Sequence, residues 1–231
     1  MVQRSILADA ARPRDRIEIV NGFRFTADEV RERGRRLLLS RPPAAHRRSD
    51  DDLNPGMMPM TELSRPAAVL VPIIAHEPEA TVLLTLRKDD LASHAGQVAF
   101  PGGKIDSTDK DEIAAALRET EEETGLAPSF VEPIGFLDAY LTRTNYRVVP
   151  VVAIVAPGFH LDPAPKEVAA VFEVPLRFLM SPENHLIQSR EWQGKARQFY
   201  AMNFGERYIW GATAGMLKSL YDRLYGKVGD R

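Results

Sequence analysis

No cysteine occurs among the 231 residues. That absence excludes disulfide bridges, thiolate zinc sites and a cysteine nucleophile, and it suits a reducing compartment. No apolar run reaches the roughly 18 residues of a membrane helix, and the opening MVQRSILADAARPRDR lacks the apolar centre of a secretory signal. A cytoplasmic protein with no membrane partner is therefore expected. Internal repeats are missing, and no basic strip with interleaved aromatics stands beside the acidic stretch at 119–123 to mark a nucleic-acid surface. The PGGK at 101–104 lacks the spacing and the Lys-Ser/Thr ending of a P-loop. Nor do strands and helices alternate as a doubly wound nucleotide-binding sheet requires. Nothing in the sequence speaks to oligomeric state.

What is present is a chain 44% hydrophobic and 27% charged, enough for one sizeable core. Its net charge of −2 hides an asymmetry: residues 1–50 carry 12 Arg against 7 acids, and the remainder carries 18 basic residues against 25 acids. Acids interspersed among the arginines point to a solvated helical face rather than a transit peptide or a nucleic-acid arm. TADEVRERGRRLLLS opens with a Thr26–Glu29 capping box and predicts a helix, so residues 1–40 are expected to be an N-terminal helical appendage. Residues 41–66 gather five prolines without periodicity and predict an irregular linker. The main domain is expected over 67–231. AAVLVPII, TVLLTLR, EPIGFLDAY and YRVVPVVAIVA are strand-like, REWQGKARQFYAMNF predicts a hairpin around Gln193-Gly194, and Ile209, Ala212, Met216, Leu220 and Leu224 fall at helical spacing. The class is α+β.

Four of the five residues from Glu119 to Glu123 are glutamates. Asp109 with Glu112 suggests a helix start, and Gly125 a stop. On such a helix Ile113, Leu117, Thr120 and Thr124 share one face, and Glu112, Ala115, Glu119, Glu122 and Glu123 the opposite one. Glu119 and Glu123 repel at i,i+4 by a few tenths of a kcal/mol, and their place near the helix C-terminus adds a dipole penalty of roughly 0.3–1 kcal/mol. A hard divalent cation offsets both costs; a solvated acidic face is the plain alternative. Upstream, FPGGK runs a strand into Gly102 and Gly103, whose missing side chains let backbone approach a phosphate or metal. Strand, paired glycines and clustered carboxylates together fit a metal-assisted phosphate site.

GG followed by RETEEETGL resembles the box of the Nudix hydrolases. Arg118, Glu119, Thr120, Glu122, Glu123, Gly125 and Leu126 fall on the family's positions, with Thr120 in place of the usual aliphatic residue. The front half departs: Gly103 and Arg118 are one residue further apart than in the common box, and Asp109 stands where Glu is expected. The longer stretch LLTLRKDDLASHAGQVAFPGGKIDSTDKDEIAAALRETEEETGL resembles the coenzyme A pyrophosphatase branch, which tolerates that insertion. VVPVVAIV, FEVPLRFL and YIWGATA extend the similarity, so that it covers roughly residues 67–224 and leaves residues 1–66 unexplained.

The resemblance implies a Nudix-type α/β/α sandwich with a mixed β-sheet, and hydrolysis of a nucleoside diphosphate linkage. It implies Mg²⁺ or Mn²⁺ held by Glu119 and Glu123 with Glu122 close by, and Arg118 orienting the glutamates, these four forming the catalytic set. Gly102, Gly103 and Arg87 would contact substrate, Arg87 through a 3′-phosphate or the diphosphate. Glu167 is a further candidate base or ligand and His94 a candidate phosphate contact. Trp210 is read mainly as a packing anchor for the terminal helix, with base stacking as its alternative. The expected partner is a small-molecule nucleotide: coenzyme A, cleaved to 4′-phosphopantetheine and adenosine 3′,5′-bisphosphate. ADP-ribose or another nucleoside diphosphate derivative is the second reading, and a non-catalytic nucleotide-sensing module the third.

Overall fold

The computed structural model describes residues 22–56, 64–90, 95–192 and 194–226. The opening segment, His94 and Gln193 lie outside them. Among the described residues, four α-helices and twelve strands follow one another: α1 (Ala27–Leu37), β1 (His46–Ser49), β2 (Arg65–Ile74), β3 (Thr81–Arg87), β4 (Val98–Ala99), β5 (Gly102–Lys104), α2 (Glu112–Thr124), β6 (Val131–Phe136), β7 (Ala139–Leu141), β8 (Tyr146–Val155), β9 (Val168–Pro175), α3 (Leu176–Leu179), β10 (Leu186–Trp192), β11 (Lys195–Phe204), β12 (Arg207–Trp210) and α4 (Ala212–Leu224).

β2 and β8 form the centre of a nine-stranded mixed sheet, running parallel in register from Arg65↔Tyr146 to Ile74↔Val155. β3, β6 and β7 join this pair antiparallel, and β4 and β9 join β3. Both central strands are buried on two faces, which is why they read as nearly continuous apolar runs. Successive side chains still alternate. Val71 and Ile73 of β2 and Val148, Val152 and Ile154 of β8 pack with Leu217, Leu220 and Leu224 of α4 on one face. Ala68, Leu70, Val149, Val151 and Ala153 pack with Ala115 and Ala116 of α2 on the other. Helices on both faces of a mixed sheet make the expected α/β/α sandwich.

α1 begins at Thr26, whose hydroxyl accepts from Glu29 N at 3.2 Å, while the Glu29 carboxylate accepts from Phe25 N and Arg24 N instead of closing a box on Thr26 itself. It packs on α4: Arg33 Nε donates to Leu224 O at 2.6 Å, and Phe23 meets the Tyr225 ring edge-on. Several expectations need correction. The proline-rich stretch is not wholly irregular, because its 46–49 segment pairs in parallel with β7. EPIGFLDAY is two strands, β6 and β7, with Gly135 (φ +151°) at the register shift of the first. Ile209 lies in β12, not in the terminal helix. The hairpin holds, with Trp192 opposite Lys195 and Gly194 at φ +73°.

Candidate active site

The site grows from two glycines. β5 pairs antiparallel with β2, with Val69 opposite Gly102 and Ala68 opposite Gly103. At Gly102 the backbone is in the positive-φ region (+144°), and a Cβ would lie 2.5 Å from both Ala68 O and Val69 Cα. A Cβ at Gly103 would instead lie 2.5 Å from Glu119 Oε2. The turn is bare so that main chain fits on one side and a carboxylate on the other.

α2 presents that carboxylate. Its N-cap is Asp111, which accepts from Ala114 N at 2.9 Å, not the expected Asp109. Thr120 and Thr124, fully buried, turn their hydroxyls back onto Ala116 O and Thr120 O at 2.6 Å each, so Thr120 occupies an apolar position without an orphaned hydroxyl. Beyond Gly125 (φ +75°) a loop closes the helix end: Asp162 N donates to Thr124 O and Ala164 N to Glu123 O, both at 2.9 Å. The expected division into a packed face and an acidic face fails at Ala115 and Glu123, which are both buried.

Glu123 is only 7% exposed. Its Oε2 accepts from Gly102 N at 3.1 Å, and its Oε1 lies 3.8 Å from Arg87 Nη1. Burial pushes its carboxyl up to about 7; the Gly102 N–H and Arg87 oppose the rise, and the negative charges of Glu119 and Glu167 add to it. Burial raises Glu119 as well, against the pull of Arg118.

Arg118 is the hub. Its Nε and Nη2 grip both oxygens of Asp109 at 3.0 and 2.9 Å, Nη1 donates to Glu119 at 3.0 Å and to Glu122 at 3.2 Å, and Nη2 reaches Lys104 O at 3.2 Å. Hydrogen bonds from Arg118 hold the Asp109 carboxyl below its ordinary range. The residue expected as a cap thus braces the arginine that braces the glutamates. Sequence reasoning missed this link; the only signal was an acid nine positions before an arginine.

Of the expected site residues, Gly102, Gly103, Arg118, Glu119, Glu123 and Arg87 therefore share one contact network. Glu122 joins it through Arg118, its side chain 60% exposed. Among the described residues no group of three His, Cys, Asp or Glu side chains is placed to hold a metal ion. Glu167 follows the loop that closes α2, and its carbonyl accepts from Lys88 N at 3.0 Å. Trp210 does not anchor the terminal helix from the core. It stands half-buried on the outer face of the β10–β12 sheet, 5.5 Å from the Phe199 ring and stacked beside Tyr208 at 6.3 Å.

The NUDIX domain family matches residues 64–200, more than half of the chain. Among curated proteins, the uncharacterized Nudix hydrolase NudL of Escherichia coli K12 is 42% identical over 156 residues, covering 68% of this chain and 81% of NudL. Among solved structures, the Caenorhabditis elegans Ap4A hydrolase binary complex is 20% identical with a TM-score of 0.42, over 48% of this chain and 80% of that one. The NUDIX domain of Shewanella oneidensis NrtR complexed with ADP ribose is 21% identical with a TM-score of 0.40, over 50% and 75%. On the family match and the NudL alignment, the chain belongs to the Nudix family and is a pyrophosphate-cleaving hydrolase.

Proposed function

We propose that the enzyme cleaves the diphosphate linkage of coenzyme A or a derivative, releasing 4′-phosphopantetheine and adenosine 3′,5′-bisphosphate. One observation carries this reading. Arg87, which ends the LLTLR strand of the coenzyme A pyrophosphatase-like stretch, has a buried Nε with no partner among the described residues, while its Nη1 faces Glu123 at 3.8 Å. A guanidinium with a spare buried donor beside the carboxylates is suited to phosphate oxygens, which it can bind through two parallel hydrogen bonds.

Nudix hydrolases use divalent metal ions, and the residues here fit one. Glu119 brings hard oxygen donors against Gly103 and Glu123 brings them to the Gly102 N–H, around a turn with no side chain of its own, and Glu123 is buried without enough positive charge to keep its carboxyl acidic. Mg²⁺ or Mn²⁺ would be held by Glu119 and Glu123, with Glu122 beside them, and would supply positive charge at the diphosphate oxygens.

The chain's own groups do the rest. Arg118, itself fixed by Asp109, holds the Glu119 carboxylate against Gly103. The Gly102 N–H fixes Glu123, and Arg87, 3.8 Å from Glu123, would neutralise a phosphate. The test is a panel of coenzyme A, ADP-ribose, NADH and dinucleoside polyphosphates incubated with the purified protein and Mg²⁺, products being resolved by mass. The reading expects coenzyme A to be the best substrate; preferential cleavage of ADP-ribose would replace it with the second reading, and no cleavage of any member with the sensing module.

A further inference from the structure

Between Leu39 and β1 the chain leaves the sheet. Leu39 pairs with Phe136 and His46 with Ala139, so seven steps along one segment stand against three along the other. Seven steps can span about 23 Å of extended chain where three span about 10 Å. Residues 40–45, which pair with no strand, take up the excess as an arch. Pro42 and Pro43 fix two of its φ angles and stiffen it against collapse. Arg147 Nη1 pins it, donating to Pro43 O at 3.1 Å.

The arch borders a cavity of about 420 Å³. Well-packed proteins keep few voids larger than a water molecule, and this volume falls within the roughly 300–1,000 Å³ of small-molecule sites. Leu39, Pro43, Ala44 and Ala45 supply apolar lining, and Arg41, Asp138 and Arg223 supply the polar part. Asp138 is already committed to Arg223, in an ion pair whose side chains are 14% and 26% exposed. Arg223 Nη1 also donates to Leu37 O at 3.4 Å. Arg41, by contrast, is exposed and makes neither ion pair nor hydrogen bond among the described residues, and Arg147 makes no ion pair among them. Three guanidiniums against one carboxylate leave the arch positively charged.

These two properties define the guest. A bare phosphate or sulfate has no apolar surface to bury against the alanines and Pro43, and a purely apolar molecule leaves Arg41 unpaired. We propose that the arch is a binding site for a small organic carboxylate, its apolar body in the cavity and its carboxylate paired with Arg41. β8 and β2 stand between β7 and the β5 turn that carries the catalytic glutamates, so this is a second site, separate from the diphosphate. The proposal does not depend on which diphosphate the enzyme cleaves.

The test is calorimetric titration of the full-length protein with hexanoate, hexan-1-ol, hexylammonium and inorganic phosphate. Hexanoate should saturate one site, with an affinity at least about 10-fold above those of the other three. Arg41→Ala, a change at an exposed side chain, should weaken hexanoate binding by about 10- to 150-fold, the worth of one charge-assisted bond, and bring it to the level of the alcohol. Ala45→Phe, which fills the cavity from an exposed position, should abolish hexanoate binding while the thermal unfolding curve stays that of the parent. Hexanoate bound no better than hexan-1-ol or hexylammonium would overturn the assignment. So would phosphate binding as tightly as hexanoate, or hexanoate binding that survives unchanged in either variant.

Discussion

The carboxylate of Glu119 lies where a side chain on Gly103 would have to go, 2.5 Å from the position of its Cβ. Because the obstacle is the free end of a flexible side chain, Gly103→Ala should fold, with stability within about 1 kcal/mol of the parent. Displacing that carboxylate should lower turnover roughly 100-fold, the scale of an ångström's misplacement. Gly102→Ala should behave in the opposite order: its obstacles are main-chain atoms and its φ is +144°, so stability falls by about 1–3 kcal/mol from backbone strain alone. Thermal denaturation and initial rates of the two variants separate these effects, and a Gly103→Ala protein with full activity would dismiss the steric account.

Glu123 gives the metal-free protein a pH signature. Its carboxyl, ordinarily at 4.5, is pushed up to about 7 in the fold, so between those values the folded chain binds more protons than the unfolded one. The stabilisation from the protonated form is complete below about pH 4.5 and is lost as pH rises through 7, a change on the order of 3 kcal/mol. Glu123→Gln should remove this pH-dependent loss, so that its stability relative to the parent rises between pH 5 and 7. Glu119→Gln and Glu123→Gln should each cut turnover by at least roughly two orders of magnitude without destabilising metal-free protein. Chemical denaturation across that pH range checks the claim; parallel curves for parent and Glu123→Gln would contradict it.

The elements set by local pattern were legible in the sequence. TVLLTLR is β3 to the residue, and Gly125 stops α2 with a left-handed conformation. What pattern could not supply was pairing at a distance. β1, β4 and β5 are four, two and three residues long, and each exists only because a partner strand lies beside it. Asp109 and Asp111 are equally good caps by local rules; the choice fell to Asp111 because Arg118 claims Asp109. The box placed Arg118, Glu119, Glu122 and Glu123 on one helix, but the burial of Glu123 depends on Gly102, 21 positions away, and on the loop that meets the helix at Asp162.

Arg118→Lys tests the hub. An ammonium cannot replace a fork that serves Asp109 with two nitrogens while a third reaches Glu119 and Glu122. Loss of a group that orients metal-binding carboxylates costs 10- to 100-fold in metal affinity or activity. Calorimetric titration with Mn²⁺ should show that weakening, and an unchanged affinity would leave Arg118 with no orienting role.

Arg87 is tested by comparing two substrates that differ by one phosphate. If its spare donor meets the 3′-phosphate, Arg87→Ala should impair cleavage of coenzyme A far more than of 3′-dephospho-coenzyme A. A charge-assisted bond of roughly 1.5–3 kcal/mol sets the fall in the selectivity ratio at about 10- to 150-fold. Equal losses on both substrates would assign Arg87 to the shared diphosphate.

On the proposed mechanism, the carboxylates around the Gly102–Gly103 turn break a diphosphate linkage with the help of a hard divalent cation. The most direct measurement is the initial rate of coenzyme A cleavage before chelation, after exhaustive treatment with EDTA, and after return of Mg²⁺ or Mn²⁺. The rate should vanish on chelation and recover with the metal, with 4′-phosphopantetheine and adenosine 3′,5′-bisphosphate as products. Cleavage that continues undiminished after chelation would remove the cation from the mechanism.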